Sequence, residues 1–185
     1  MKNILVIVDA QNDFIDGALG SEEAKSRIAN ISNKIKSFTD GLIITTQDTH
    51  QENYLETKEG KALPVAHCIQ YSLGWGINVE VATSIITKAA MDPSISYDSV
   101  IKPTFGSTEL MVKIAEYVRG EEFNITFVGF CTDICVLSNA IMTKAMFYEQ
   151  ANINVDASCC AGVTPEKHNA ALEVMKSCQI NVENE

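Results

Sequence analysis

Short runs of β-forming residues alternate with longer segments of helical period along most of this chain, and that alternation is the strongest constraint on its fold. "NILVIV" (3–8) is almost wholly apolar, as a strand buried on both faces must be. "GLIITTQ" (41–47), "YDSVIKP" (97–103), "NITFVGF" (124–130) and "NINVDA" (152–157) read as further strands, and "QINVE" (179–183) ends the chain. Between the first two, Ser21 is placed to cap a helix that opens with Glu22 and Glu23, suited to the positive helix start. Ala24, Ile28, Ile31, Ile35 and Phe38 then recur at helical spacing. A weaker helical pattern covers "VEVATSIITKAA" (79–90). Ser107 precedes a stripe of Leu110, Met111, Ile114 and Val118, and a later stripe uses Val136, Leu137, Ala140, Ile141 and Met146. Thr164 and Pro165 begin the last helix as N-cap and first residue. The expectation is an α/β fold of three layers, α/β/α, around a central and mostly parallel sheet of about six strands. One domain should span residues 1–185. Residues 48–78 are polar and irregular, and a loop of that length in a compact domain is usually functional.

Charge and composition narrow the partners. The net charge is −10 with no basic stripe, which argues against nucleic acid and against acidic membrane surfaces. No apolar run approaches the roughly 20 residues of a membrane span. "MKNILVIVDA" reads as a first strand, not as a signal peptide. Six cysteines occur without a CxxC pair, which suits reduced thiols and a cytoplasmic location. The expected partner is therefore a small molecule.

In open parallel sheets, ligands sit beyond the carboxyl ends of the strands. Four strand ends carry reactive residues here: Asp9, the pair Asp48 and His50, Lys102, and the turn from Cys131 to Cys135. A cysteine attacks as thiolate, and a helix start stabilises that charge. Cys135 falls in the first turn of its expected helix, with Thr132 and Asp133 as candidate caps, while Cys131 precedes it and packs. Asp9, just past a buried strand, can serve as proton acceptor, and Lys102 supplies a positive charge for thiolate and carboxylate. Two other readings stay open on residues alone. Both cysteines can be inert core, or the C-x3-C pair can be half of a metal site that lacks its second half.

In the long loop, Asp48 and His50 point the same way if the chain is still extended, and His67 follows. A carboxylate with two imidazoles suits Zn²⁺, with Mn²⁺ and Fe²⁺ as alternatives. The competing reading is a solvated loop in which this spacing is chance. Cys68, beside His67, reads as a reduced structural thiol; Cys159 and Cys160 as packing residues; and His168 as a surface or helix-packing residue.

"VDAQNDF" (8–14), "TQDTH" (46–50), "IKPTFGS" (101–107) and "GFCTDICV" (129–136) resemble the four signature stretches of the isochorismatase-like cysteine hydrolases, in that family's order and spacing. The nicotinamidase-like branch is the most similar, and the tail "VDASCCAGVTPEKHNAALEVM" (155–175) follows the same pattern. The resemblance implies the isochorismatase-like hydrolase fold and a catalytic triad of Asp9, Lys102 and Cys135. It implies a cis peptide between Phe130 and Cys131, aiming the N–H groups of Cys131 and Cys135 at an oxyanion. It also implies a divalent metal held by Asp48, His50, His67 and one further residue between the histidines. Glu56 is the choice for that place and Glu52 the competitor. The metal would bind the pyridine nitrogen of nicotinamide and keep waters.

Phe14 matches the family's substrate wall. The position that often carries tryptophan, three residues before the late histidine, is Pro64 here, so Phe105 or Tyr54 would substitute. The implied activity is hydrolysis of nicotinamide to nicotinate and ammonia within NAD salvage, by a protein expected to form homo-oligomers. The alternatives are a related hydrolase of another small amide or ureide, working without metal, and a non-enzymatic redox sensor or binding domain using Cys131 and Cys135. A true isochorismatase, a vinyl-ether hydrolase that typically lacks the nucleophilic cysteine, fits less well.

Overall fold

The structure is a computed structural model describing residues 1–185. Six parallel strands form one sheet in the order β3-β2-β1-β4-β5-β6. They span β1 Lys2–Val8, β2 Gly41–Asp48, β3 Ile95–Lys102, β4 Phe123–Phe130, β5 Ala151–Ala161 and β6 Asn181–Glu183. The helices are α1 Asn12–Ile15, α2 Glu22–Ser37, α3 Lys58–Ala62, α4 Val79–Met91, α5 Thr108–Val118, α6 Leu137–Phe147 and α7 Pro165–Ser177. Strand β5 runs four residues beyond its expected end because "SCCA" continues the apolar pattern, with an irregularity in its pairing to β4 between Phe127 and Gly129.

Alternation along the strands divides the core in two. Ile4, Val6 and Val8 face one layer with α5, α6 and α7. Leu5 and Ile7 face the other, with α2 and α4. The β1 run is apolar at every position because both of its faces are covered. Ser21, Ser107 and Thr164 cap α2, α5 and α7 through their hydroxyl oxygens, as their positions predict.

Two local expectations are corrected. Neither Thr132 nor Asp133 caps the helix after β4, for no side chain caps that turn. Asp133 instead accepts from the N–H of Val163 at 2.9 Å, and the Thr132 hydroxyl pairs with His168 Nδ1 at 2.8 Å. The buried face of α6 also differs: Met146 is exposed, while Asn139, Ala140, Thr143 and Phe147 face inward. Asn139 tolerates full burial because its amide donates to the carbonyls of Cys135 and Phe105 and accepts from the N–H of Ser107.

The strand order reverses between β1 and β4, since the chain builds β2 and β3 on one side of β1 and then crosses to β4 on the other. A crevice opens at the carboxyl ends where that reversal occurs. Asp9 follows β1 and Cys131 follows β4, so both edges of the crevice carry residues of interest.

Candidate active site

Asp9 sits at φ 47°, a left-handed conformation uncommon outside glycine, immediately beyond β1. Its N–H donates to the carbonyl of Thr46 at 3.1 Å, and its Oδ1 accepts from the Thr46 hydroxyl at 2.7 Å. Oδ2 lies 2.7 Å from Lys102 Nζ as an ion pair and takes no aligned hydrogen bond. Lys102 ends β3 and is wholly buried. Its ammonium is surrounded by Asp9, Asp48 Oδ1 at 3.4 Å, the carbonyl of Thr104 at 3.1 Å and Cys135 Sγ at 3.5 Å. Three chemistry-bearing residues from distant parts of the chain thus meet in one buried cluster.

Burial alone would lower the pKa of Lys102, but the charges of Asp9, Cys135 and Asp48 outweigh it and hold the group protonated. Burial raises the carboxyl of Asp9, and Lys102 only partly opposes that. The Cys135 thiol is pushed well above its ordinary value, first by burial and then by the Asp9 charge, with Lys102 pulling the other way. Burial and the Asp9 carboxylate thus oppose the thiolate that the helix start and Lys102 favour. Burial likewise pushes Cys131 up to about 12.

Cys131 precedes, and Cys135 lies within, a wide turn over Thr132–Val136 that leads into α6. The Phe130–Cys131 peptide is cis, as the resemblance implies. The carbonyl of Cys131 accepts from the N–H groups of Ile134 and Val136, both at 3.1 Å, and passes over that of Cys135 between them.

Beside the triad, Asp48, His50, Glu59 and His67 bring one ligand atom each within 4.8 Å of one another. His50 Nε2 lies 3.0 Å from Asp48 Oδ2 and 3.5 Å from Glu59 Oε1, and His67 Nε2 lies 3.5 Å from Asp48 Oδ2. Tetrahedral zinc with bonds of about 2.0–2.1 Å separates its ligand atoms by roughly 3.3 Å, so the donor set fits a divalent ion. The supporting contacts fit as well. His67 Nδ1 is 2.8 Å from the carbonyl of Val65, which turns Nε2 toward the cluster. Gln11 pairs with both backbone groups of Asp48, accepting from its N–H at 2.8 Å and donating to its carbonyl at 2.9 Å. Burial would raise Asp48, but His50, His67 and Lys102 hold it below the usual carboxylate range.

The glutamate expected in this group is corrected. Glu56 is exposed on the 3₁₀ turn Tyr54–Glu56, and Glu52 is exposed before it. Glu59 is the residue that reaches the histidines, because the Thr57 side chain caps α3 and sets Glu59 in its first turn. A threonine three residues before Gly60 was the available signal for that short helix.

A cavity of about 430 Å³ opens over both groups. Phe14, Phe105, Leu19, Leu63 and Ile134 form much of its wall, and Asp48, Glu59, His67, Cys131 and Cys135 reach into it. Phe14 packs edge-on against His67. Tyr54 does not take the missing tryptophan's place: it is buried beneath His50 and His67, with its hydroxyl donating to the carbonyl of Leu63. Trp75 lies apart, its indole donating to Thr49.

Comparison with known proteins identifies the fold and the family. A family model described as the isochorismatase domain matches residues 3–184. PncA of Bacillus subtilis (strain 168), described as an uncharacterized isochorismatase family protein, is 31% identical over 147 residues, 76% of this chain and 78% of the relative. Among solved structures, the nicotinamidase/pyrazinamidase PncA of Bacillus subtilis superposes with a TM-score of 0.83 at 24% identity, over 100% of each chain. The pyrazinamidase of Pyrococcus horikoshii, solved in complex with zinc, does so with a TM-score of 0.77 at 25% identity, again over 100% of each. Matched over nearly its whole length, the chain belongs to the isochorismatase family.

Proposed function

We propose that this protein is an amidohydrolase that cleaves nicotinamide to nicotinate and ammonia. The observation that carries the reading is the placement of Lys102 Nζ, 2.7 Å from Asp9 Oδ2 and 3.5 Å from the Sγ of Cys135, which lines an apolar-walled cavity. The relatives described as nicotinamidases and pyrazinamidases support it.

Burial and the Asp9 carboxylate favour Cys135 as a thiol, whose proton leaves as the sulfur attacks the amide carbon. Asp9 is the acceptor: its raised pKa makes it a stronger base than an ordinary carboxylate, and Oδ2 takes no aligned hydrogen bond. The N–H groups of Cys131 and Cys135 hold the tetrahedral oxyanion, where one such donor is typically worth about 2.7–4 kcal/mol. The intermediate collapses as Asp9 returns the proton to the departing nitrogen, releasing ammonia and leaving a thioester on Cys135. A water deprotonated by Asp9 then opens the thioester, and the thiol recovers its proton. Lys102 balances the negative charge that passes between Asp9 and the sulfur. Asp48, His50, Glu59 and His67 would hold a divalent ion, which would supply a Lewis acid for the ring nitrogen beside Cys135. Phe14 and Phe105 offer the apolar surfaces for a flat ring.

One observation favours a second reading, a related hydrolase of another small amide or ureide. Next to Pro64, the cavity wall offers Leu63 and no flat aromatic. Ammonia release from nicotinamide, pyrazinamide and a carbamoyl compound, with and without chelator, separates the two. The first reading expects fastest turnover on nicotinamide and its loss on chelation. Preference for the carbamoyl compound without metal would replace it.

A further inference from the structure

The turn Thr132–Val136 carries Cys135, follows Cys131 and has no side-chain cap of its own. It is held from behind instead. Thr132, its first residue, is wholly buried, and its hydroxyl has one hydrogen-bond partner, Nδ1 of His168 at 2.8 Å. One residue on, Asp133 Oδ1 accepts from the N–H of Val163 at 2.9 Å. Gly162 lets the two segments close: a Cβ there would stand 2.8 Å from the backbone nitrogen of His168 and 2.9 Å from Asp133 Oδ1, nearer than side chains approach. The half-buried His168 is presented by α7, which the Thr164 cap and the burial of Ala171, Leu172 and Met175 fix in place. Burial and the Arg27 charge lower the pKa of the ring, with Asp133 opposing, and a neutral imidazole nitrogen accepts readily from a hydroxyl. His168 is absent from the wall of the catalytic cavity, which Val163, Cys131 and Cys135 line, so it reaches a substrate there only through the turn.

We infer that His168 is a positioning residue: by holding Thr132 it sets the backbone of the catalytic turn, and with it the N–H groups of Cys131 and Cys135 that receive the oxyanion. The role of those N–H groups rests on the amidohydrolase reading. Removing the ring leaves a buried hydroxyl unpaired, a cost that the turn relieves by shifting. The sulfur of Cys135 is anchored separately, 3.5 Å from Lys102 Nζ, so the loss falls on the oxyanion donors and not on the nucleophile.

Two reactions of Cys135 separate these effects. Iodoacetamide forms a sulfur–carbon bond as iodide leaves and the thiol proton is lost, with no oxyanion. Pyridine-3-carboxaldehyde adds reversibly: the sulfur bonds to the carbonyl carbon, and the oxygen takes up negative charge and then the thiol proton. The assay is the rate of Cys135 alkylation, read by peptide mass, at rising aldehyde concentration. His168→Ala should be alkylated at the parent's rate without aldehyde, but should need roughly tenfold or more aldehyde for half protection. Its kcat on nicotinamide should fall by a similar factor with KM near the parent's. His168→Asn, whose Oδ1 stands near the place of Nδ1, should recover most of both. Thr132→Val added to His168→Ala should cost nothing further, because the two side chains act as one contact. Undiminished aldehyde protection in His168→Ala overturns the inference, as does alkylation that slows in step with it. A loss that His168→Asn leaves in place, an added loss in the double variant, or a parent that the aldehyde never protects overturns it too. Failure of the amidohydrolase reading looks different: a parent that the aldehyde protects but that cleaves no amide.

Discussion

Replacing Lys102 by Met tests the electrostatic heart of the site. At an effective dielectric of 20, a unit charge pair attracts by ~6 kcal/mol at the 2.7 Å from Lys102 Nζ to Asp9 and by ~5 kcal/mol at the 3.4 Å to Asp48. Desolvation of the buried ions offsets much of that sum. Without the cation, Asp48 still keeps His50 and His67, but Asp9 keeps only the Thr46 hydroxyl and backbone. The variant can escape a bare buried carboxylate by protonating Asp9. Against an unfolded pKa of about 3.9, that costs roughly 4 kcal/mol at pH 7 and about 1.5 kcal/mol at pH 5.

The sign follows. The folded variant holds a proton that the unfolded chain has released, so its stability is greatest at low pH and falls as pH rises above about 3.9. Urea unfolding in chelator should show Lys102→Met losing about 4 kcal/mol relative to the parent at pH 7 and markedly less at pH 5. Adding Asp9→Asn should recover most of the loss at pH 7. A loss under about 1 kcal/mol at pH 7, or the same loss at both pH values, would refute the reasoning.

Three further outcomes are expected. Cys135→Ala should abolish ammonia release from nicotinamide, while Cys131→Ala keeps much of it because its backbone N–H remains; comparable losses would sink that division of roles. Glu59→Ala should weaken zinc binding by tenfold or more in competition with a chromogenic chelator, and Glu56→Ala should leave it unchanged, because only Glu59 stands beside His50. Alkylation of Cys135 by iodoacetamide in chelator-treated protein should keep rising with pH through the ordinary thiol range near 8.5, since its pKa is raised. A plateau below that range would mean a resting thiolate.

The strands were legible because burial on both faces leaves an unbroken apolar run, and the caps at Ser21, Ser107 and Thr164 because their partners lie three residues away. Asp9, Asp48, Lys102 and the Cys131–Cys135 turn were legible as a set, for all follow the carboxyl ends of strands in one sheet. Glu59 was not, because the loop that carries it has no periodicity and its position depends on a single turn of helix begun by Thr57. Asn139 is not legible for a different reason. A buried amide is set by partners at Phe105 and Ser107, which no local pattern announces. The electrostatics of Cys135 are only half legible: a helix start favours thiolate locally, while the depth of burial and the nearby Asp9 charge, which oppose it, are tertiary facts.

The most direct measurement is intact mass of the protein, acid-quenched within the first turnovers on nicotinamide and then digested to locate any adduct. A nicotinoyl group should appear on Cys135, disappear under hydroxylamine, and be absent from Cys135→Ala. Steady turnover with no such adduct, or undiminished turnover by Cys135→Ala, would contradict the account.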